Sequence, residues 1–93
     1  MRISATTEIE GGRISTEIGR IEAASTWHAA LNSSIEAQWR EHALRELIRR
    51  AEDIDADAIV GVEYEVDAGL PMDEMGAALQ RVRVTGIAVT LAA

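Results

Sequence analysis

The stretch Ala51–Val66, AEDIDADAIVGVEYEV, decides how this chain folds. Its opening residues end a helical pattern. Asp53-Ile54-Asp55-Ala56-Asp57 is a short polar connection. From Ala58 the chain becomes apolar at once and alternates. Ala58, Val60, Val62, Tyr64 and Val66 fall on one side, and Ile59, Gly61, Glu63 and Glu65 on the other. A period of two is the mark of a strand. The first half is apolar on both sides, which predicts an end buried on both faces. The second half emerges into water on its glutamate side.

Upstream of this stretch, Ser33 followed by Glu36 fits a capping box, in which hydroxyl and carboxylate each satisfy a backbone N–H at a helix start. No Gly or Pro interrupts Ser34 to Asp53. Ile35, Trp39, Ala43, Leu44, Leu47, Ile48 and Ala51 recur as one apolar stripe. The spacing predicts one long amphipathic helix. Its other face carries Glu41–Arg45 and Glu46–Arg50 at i,i+4, a solvated charge pattern.

Nearer the N-terminus, Ile3, Ala5, Thr7 and Ile9 alternate with Arg2, Ser4, Thr6 and Glu8. This predicts a strand over 2–9, a turn at Gly11-Gly12 and a second strand over 13–23, together a hairpin. Ile14 and Ile18 share a face in that second strand, and a bulge at Gly19 would bring Ile21 back onto it. Residues 24–32 read as a short helix or a docked loop. Downstream, residues 67–78 read as a loop by composition. The last strand spans 79–91, with either a bulge at Gly86 or both faces covered beyond it. Pairing of the last two strands sets Glu63 and Glu65 against Arg81 and Arg83.

The order is β-β-α-β-β in a single domain over residues 1–93, an α+β class with one helix on a mainly antiparallel sheet. One helix covers only part of four strands. Ile59, Ile87, Val89 and Leu91 are therefore expected to lie exposed on the second face, and such area marks an interface. Self-association follows as the expectation.

Composition narrows the function. The 93 residues are 47% hydrophobic and 27% charged, with no Phe and no Cys. The core must be aliphatic, and thiolate metal sites and cysteine nucleophiles are excluded. The net charge of -7 opposes nucleic acid and anionic membranes. No apolar run reaches the length of a signal-peptide core or a membrane span, so a cytoplasmic location is the expectation.

Candidate chemistry is thin. His42 and Glu46 lie one helical turn apart and would supply half of a metal site, completed by a neighbouring subunit. The alternative for His42 is local hydrogen bonding beside Trp39. Trp27-His28 is a stacking pair at a rim or simply packs a loop down. Met72, Asp73, Glu74 and Met75 resemble a loose soft-metal cluster but fit a mobile acidic loop better. Asp53, Asp55 and Asp57 have the D-x-D-x-D spacing of a calcium loop without its Gly and distal Glu. Ser33, Ser34 and His42 are accounted for as cap and helix face. No catalytic set and no cofactor site is recognisable.

Several motifs occur in a distinctive order: Thr6-Thr7-Glu8-Ile9-Glu10-Gly11, then Ile18-Gly19-Arg20-Ile21, then Ala51 through Val62, then Thr85-Gly86-Ile87-Ala88-Val89. In that order the chain resembles the YbjQ-like family of small bacterial proteins, which carries a heavy-metal-binding label and no settled activity. Two departures stand out. The family's G-G-R-S-G-like turn is missing from 23–34, and its G-A-N is replaced by Asp55-Ala56-Asp57. The resemblance implies a homo-oligomer, a ring of five copies. The expected function is a non-enzymatic homo-oligomeric module with a small ligand held between subunits. The alternative is a divalent-metal protein using His42 and Glu46 from several subunits.

Overall fold

The computed structural model describes residues 1–29, 33–72 and 78–92, with side chains described at these positions except 29, 33–36, 68–72 and 78. The elements are β1 (Arg2–Ile3), β2 (Ile14–Ala24), β3 (His28–Ala29), α1 (Ser33–Asp53), β4 (Ala58–Met72) and β5 (Ala78–Leu91). The class is α+β, and apart from the two-residue β3 the order is β-β-α-β-β. The sheet runs β1-β4-β5-β2, with β3 also on β5. It is mixed: β1 joins β4 in parallel, and the remaining pairs are antiparallel.

The helix lies where its stripe predicts. Ala43, Leu47 and Ala51 are fully buried, packed with Ala23, Ile59, Val62, Val82 and Val84 of the sheet. Trp39, Leu44 and Ile48 flank this core. The capping pair Ser33 and Glu36, and Ile35, have side chains outside the described residues.

The helix ends in a Schellman motif. The Ala56 N–H donates to the Ala51 carbonyl and the Asp55 N–H to that of Glu52, both at 3.0 Å. Asp55 therefore occupies the left-handed position, with φ of 58°, that glycine most often fills. Asp57 has a separate task. Its Oδ2 accepts the Leu91 N–H at 2.8 Å, and its own N–H donates to the Val89 carbonyl at 2.9 Å. Asp55 thus serves the helix end and Asp57 the sheet corner.

The N-terminal hairpin does not form. Residues 2–3 pair with Ala58 and Ile59, and β2 pairs with β5. Between them the Ser4 and Thr6 hydroxyls turn back on the local backbone, accepting the Thr6 and Glu8 N–H groups at 3.1 and 3.3 Å. Such local bonds compete with a ladder. The turn at the glycines is present: the Gly12 N–H donates to the Ile9 carbonyl at 3.1 Å, and Gly11 has φ of 73°.

The alternation in β4 breaks at Gly61. The register with β5 slips by one residue between Val60 and Glu63, and Gly61 has φ of 62°. Side chains therefore change faces across the bulge. Ile59 and Val62 both face the helix, whereas Ala58 and Val60 face away. Ile59 is fully buried under the helix rather than exposed on the second face. Gly86 lies opposite the bulge. A Cβ there would come within 2.5 Å of Ile59 Cγ2. Gly86 is therefore not a bulge in β5, and both faces around it are covered.

The second face is also less bare than its pattern suggests. Ile9 packs onto Val60, Ala58 and Val89, with Ile14, Ile87 and Leu91 around them. The N-terminal segment covers this end, where Val89 is buried and Ile87 and Leu91 are half-buried rather than exposed. In β2 the register shifts between Glu17 and Gly19. Ile21 then joins the helix-side core while Ile14 packs on the opposite side, and Ile18 between them is exposed. Residues 67–72, expected as loop, continue β4: Asp67 pairs with Arg81 and Ala68 with Gln80. Residues 24–28 lead into β3 rather than a helix.

Candidate functional site

Three groups of polar side chains are candidates. The first lies on α1. His42 is exposed and meets Trp39 edge-on, with ring centroids 6.1 Å apart. Glu46 is one turn on, and its carboxylate is held by Arg49 at 3.3 Å. Arg45 pairs with Glu41 at 2.7 Å. Glu46–Arg49 at i,i+3 replaces the expected Glu46–Arg50 pair, and on an exposed helix face either contributes only a few tenths of a kcal/mol.

The second group is His28 with Trp39. The rings stack at 4.1 Å, 5° from parallel. β3 holds His28 against the helix, and the ring is buried. Nδ1 lies 3.2 Å from the Thr26 carbonyl. A carbonyl only accepts, so Nδ1 carries the proton. Among the described residues, His28 Nε2 and Trp39 Nε1 are both buried without a hydrogen-bond partner. Trp27 parts from its neighbour and lies against the Arg81 guanidinium at 4.8 Å. Of the two readings of Trp27-His28, the structure supports packing: each ring ties its segment down, on different partners.

The third group is a charged cluster on the sheet face away from the helix. Arg81 Nε donates to Asp67 at 2.9 Å. Arg83 donates to Glu65 and, at 3.3 Å, to Glu22, and lies 3.4 Å from Asp67. The Glu22 hydrogen bond, then the charges of Asp67 and Glu65, hold the Arg83 guanidinium above its ordinary range. The expected cross-strand pairing is present one step along: Glu65 faces Arg83 and Asp67 faces Arg81, while Glu63 faces Thr85. Sequence reasoning missed Asp67 and Glu22, because the first was assigned to a loop and the second lies on a strand placed elsewhere.

A heavy-metal site needs three or four converging donors. Among the described residues no three of His, Cys, Asp and Glu come together. Neither His42 with Glu46 nor Asp53, Asp55 and Asp57 thus gathers three donors among the described residues. The 73–75 part of the Met72–Met75 cluster, the Met72 side chain and the Ser33 and Ser34 hydroxyls lie outside the described residues. Among the described residues no helix is long and apolar enough to cross a membrane.

No curated protein matches the chain. A solved structure that is similar is a protein of unknown function of the DUF74 family from Pediococcus pentosaceus ATCC 25745. It has a TM-score of 0.69 and 18% identity, and the match covers 99% of this chain and 98% of that one. At that identity the likeness concerns the fold. The YbjQ family model, described as "Putative heavy-metal-binding", matches residues 29–92. The match spans well over half of the sequence and includes the helix, the aspartate connection and the β4–β5 pair, so the chain belongs to the YbjQ-like family.

Proposed function

We propose that the protein is a non-catalytic module that works as a homo-oligomer, a ring of five copies, with a small ligand held between subunits. The observation that carries this reading is shape. The radius of gyration is 15.2 Å and the extents are 53 × 23 × 15 Å. A compact chain of this length has a radius of gyration of about 12 Å. β4 runs on as far as Met72 and β5 starts at Ala78, so the pair extends as an arm, and Tyr64 and Val66 along it are exposed. A small domain that spreads its sheet in this way gives up burial within one chain, and a second copy restores it.

The second reading is metal binding, supported by the family's description and by the exposure of His42. Here His42 and Glu46 of adjacent copies supply the donors jointly, and Glu46 must exchange Arg49 for the metal. Native mass spectrometry of tag-free protein, with and without zinc, nickel or copper, separates the two. A single mass near five subunits without stoichiometric metal supports the module. Stoichiometric metal that is lost in His42→Ala favours the second reading. A monomer at working concentration refutes the oligomeric reading.

A further inference from the structure

The sheet has two long open edges. Among the described residues nothing pairs with the outer side of β2, and β4 is met by the N-terminal segment only as far as Val62. Each edge presents a row of unpaired N–H and C=O groups, the feature that makes an edge strand a template for another strand. The bulge before Gly19 leaves Gly19–Ala24 as the regular part of the β2 edge. On β4 the regular part is Glu63–Ala68.

We propose that these two edges join different copies: Gly19–Ala24 of one copy adds to Glu63–Ala68 of the next, making one sheet continuous through the oligomer. The inference rests on the oligomeric reading above and specifies its interface. Three features select a second copy as the partner, joined head to tail.

Direction is the first. β2 and β4 are each antiparallel to β5, so they point the same way, and sideways repetition of the subunit brings them together as a parallel pair. Charge is the second. On the face away from the helix β4 shows Glu63, Glu65 and Asp67. Antiparallel pairing of β4 with itself about Glu65 would set acid opposite acid, which destabilises a ladder. The β2 edge instead offers Arg20, which among the described residues has no ion pair with a carboxylate. Shape is the third. Beside the β2 edge, Arg20, Ile21, Glu22, Arg50, Asp53 and Ile54 line a groove of about 440 Å³. Val66 and the Tyr64 ring, exposed on the helix side of β4 with the Arg40 guanidinium 5.6 Å from the ring centroid, offer apolar surface to fill it. A joint between unlike surfaces is heterologous and closes into a ring when the rotation allows.

The absence of cysteine makes the test direct. Arg20→Cys and Glu63→Cys are made singly. The two proteins, one carrying heavy isotopes, are refolded together and treated with a short bis-maleimide. The expected product is cross-linked dimer of mixed mass only, with neither single variant linking to itself. Val66→Lys, with its circular dichroism unchanged, is expected to weaken association by about tenfold or more, the loss of one buried aliphatic side chain. An intact oligomer that links like to like, or does not link and tolerates Val66→Lys, overturns this interface and leaves the oligomeric reading standing. A wild-type monomer overturns both.

Discussion

Replacing Asp55 with glycine is expected to stabilise the protein. Asp55 holds φ of 58° at the end of α1, a region that costs an ordinary L-residue about 1–2 kcal/mol, with Asp near the lower end. Glycine enters it without that cost. The substitution also removes a carboxylate from the negative end of the helix dipole, worth about 0.3 kcal/mol at an exposed position. Against this, glycine loosens the unfolded chain by about 0.4–1 kcal/mol. The balance is a gain of about 0.5 kcal/mol, or about 2–4 °C in Tm for a domain of this size. Thermal melts followed by far-UV circular dichroism measure it, at one fixed protein concentration because assembly adds a concentration-dependent contribution. Two companions separate the causes. Asp55→Asn tests the charge alone and should gain only a few tenths of a kcal/mol. Asp55→Ala keeps a Cβ but lacks the short polar side chain that tolerates this conformation, and should melt below wild type. A glycine variant that melts below the alanine variant would refute the assignment of Asp55 to the left-handed cap.

Other perturbations test other parts of the fold. Gly86→Ala should destabilise by about 1–3 kcal/mol in urea melts, because its Cβ would meet the fully buried Ile59 at 2.5 Å. Leu47→Ala empties the centre of the helix–sheet core and should cost about 2–5 kcal/mol by the same measurement. Asp57→Ala leaves the Leu91 N–H without its acceptor and should cost about 1 kcal/mol, with faster amide exchange at Leu91 as the local signature. His42→Ala should leave the stability within about 0.5 kcal/mol of wild type, and should abolish any metal-induced thermal shift if the metal reading is correct.

The helix was legible because its stripe at 3.6-residue spacing is long and Leu47 and Ala51 are central to it. The β4–β5 pairing was legible because opposite charges recur two residues apart on both strands. The N-terminus was not, because the alternation of residues 2–9 does not reveal that Ser4 and Thr6 bind their own backbone. The face of Ile59 was misread for a different reason. Alternation assumes an unbroken ladder, and the single glycine at 61 inserts a residue that no count of apolar positions detects. Residues 67–72 looked like loop because Gly69 and Pro71 outweigh the strand signal of their neighbours. The functional candidates were weak in the sequence and remain dispersed in one chain: His42 lies on the open face of the helix, while His28 is committed to stacking.

The bulge at Gly61 bears on how substitutions in β4 are tolerated. Before it, the odd-numbered Ile59 is sealed under the helix. After it, the odd-numbered Glu63 and Glu65 lie in solvent. A saturation screen along this strand should therefore show charge rejected at position 59 and accepted at 63 and 65. Forcing residue 61 into an unbroken ladder would drive the acidic row beneath the helix, whereas deleting it would keep Val62, Tyr64 and Val66 on the helix side. The glycine is thus a frame-setting residue: its left-handed backbone takes up the one extra residue between Ile59 and Val62, and a substitution that closed the bulge would change the environment of every residue after it in the strand.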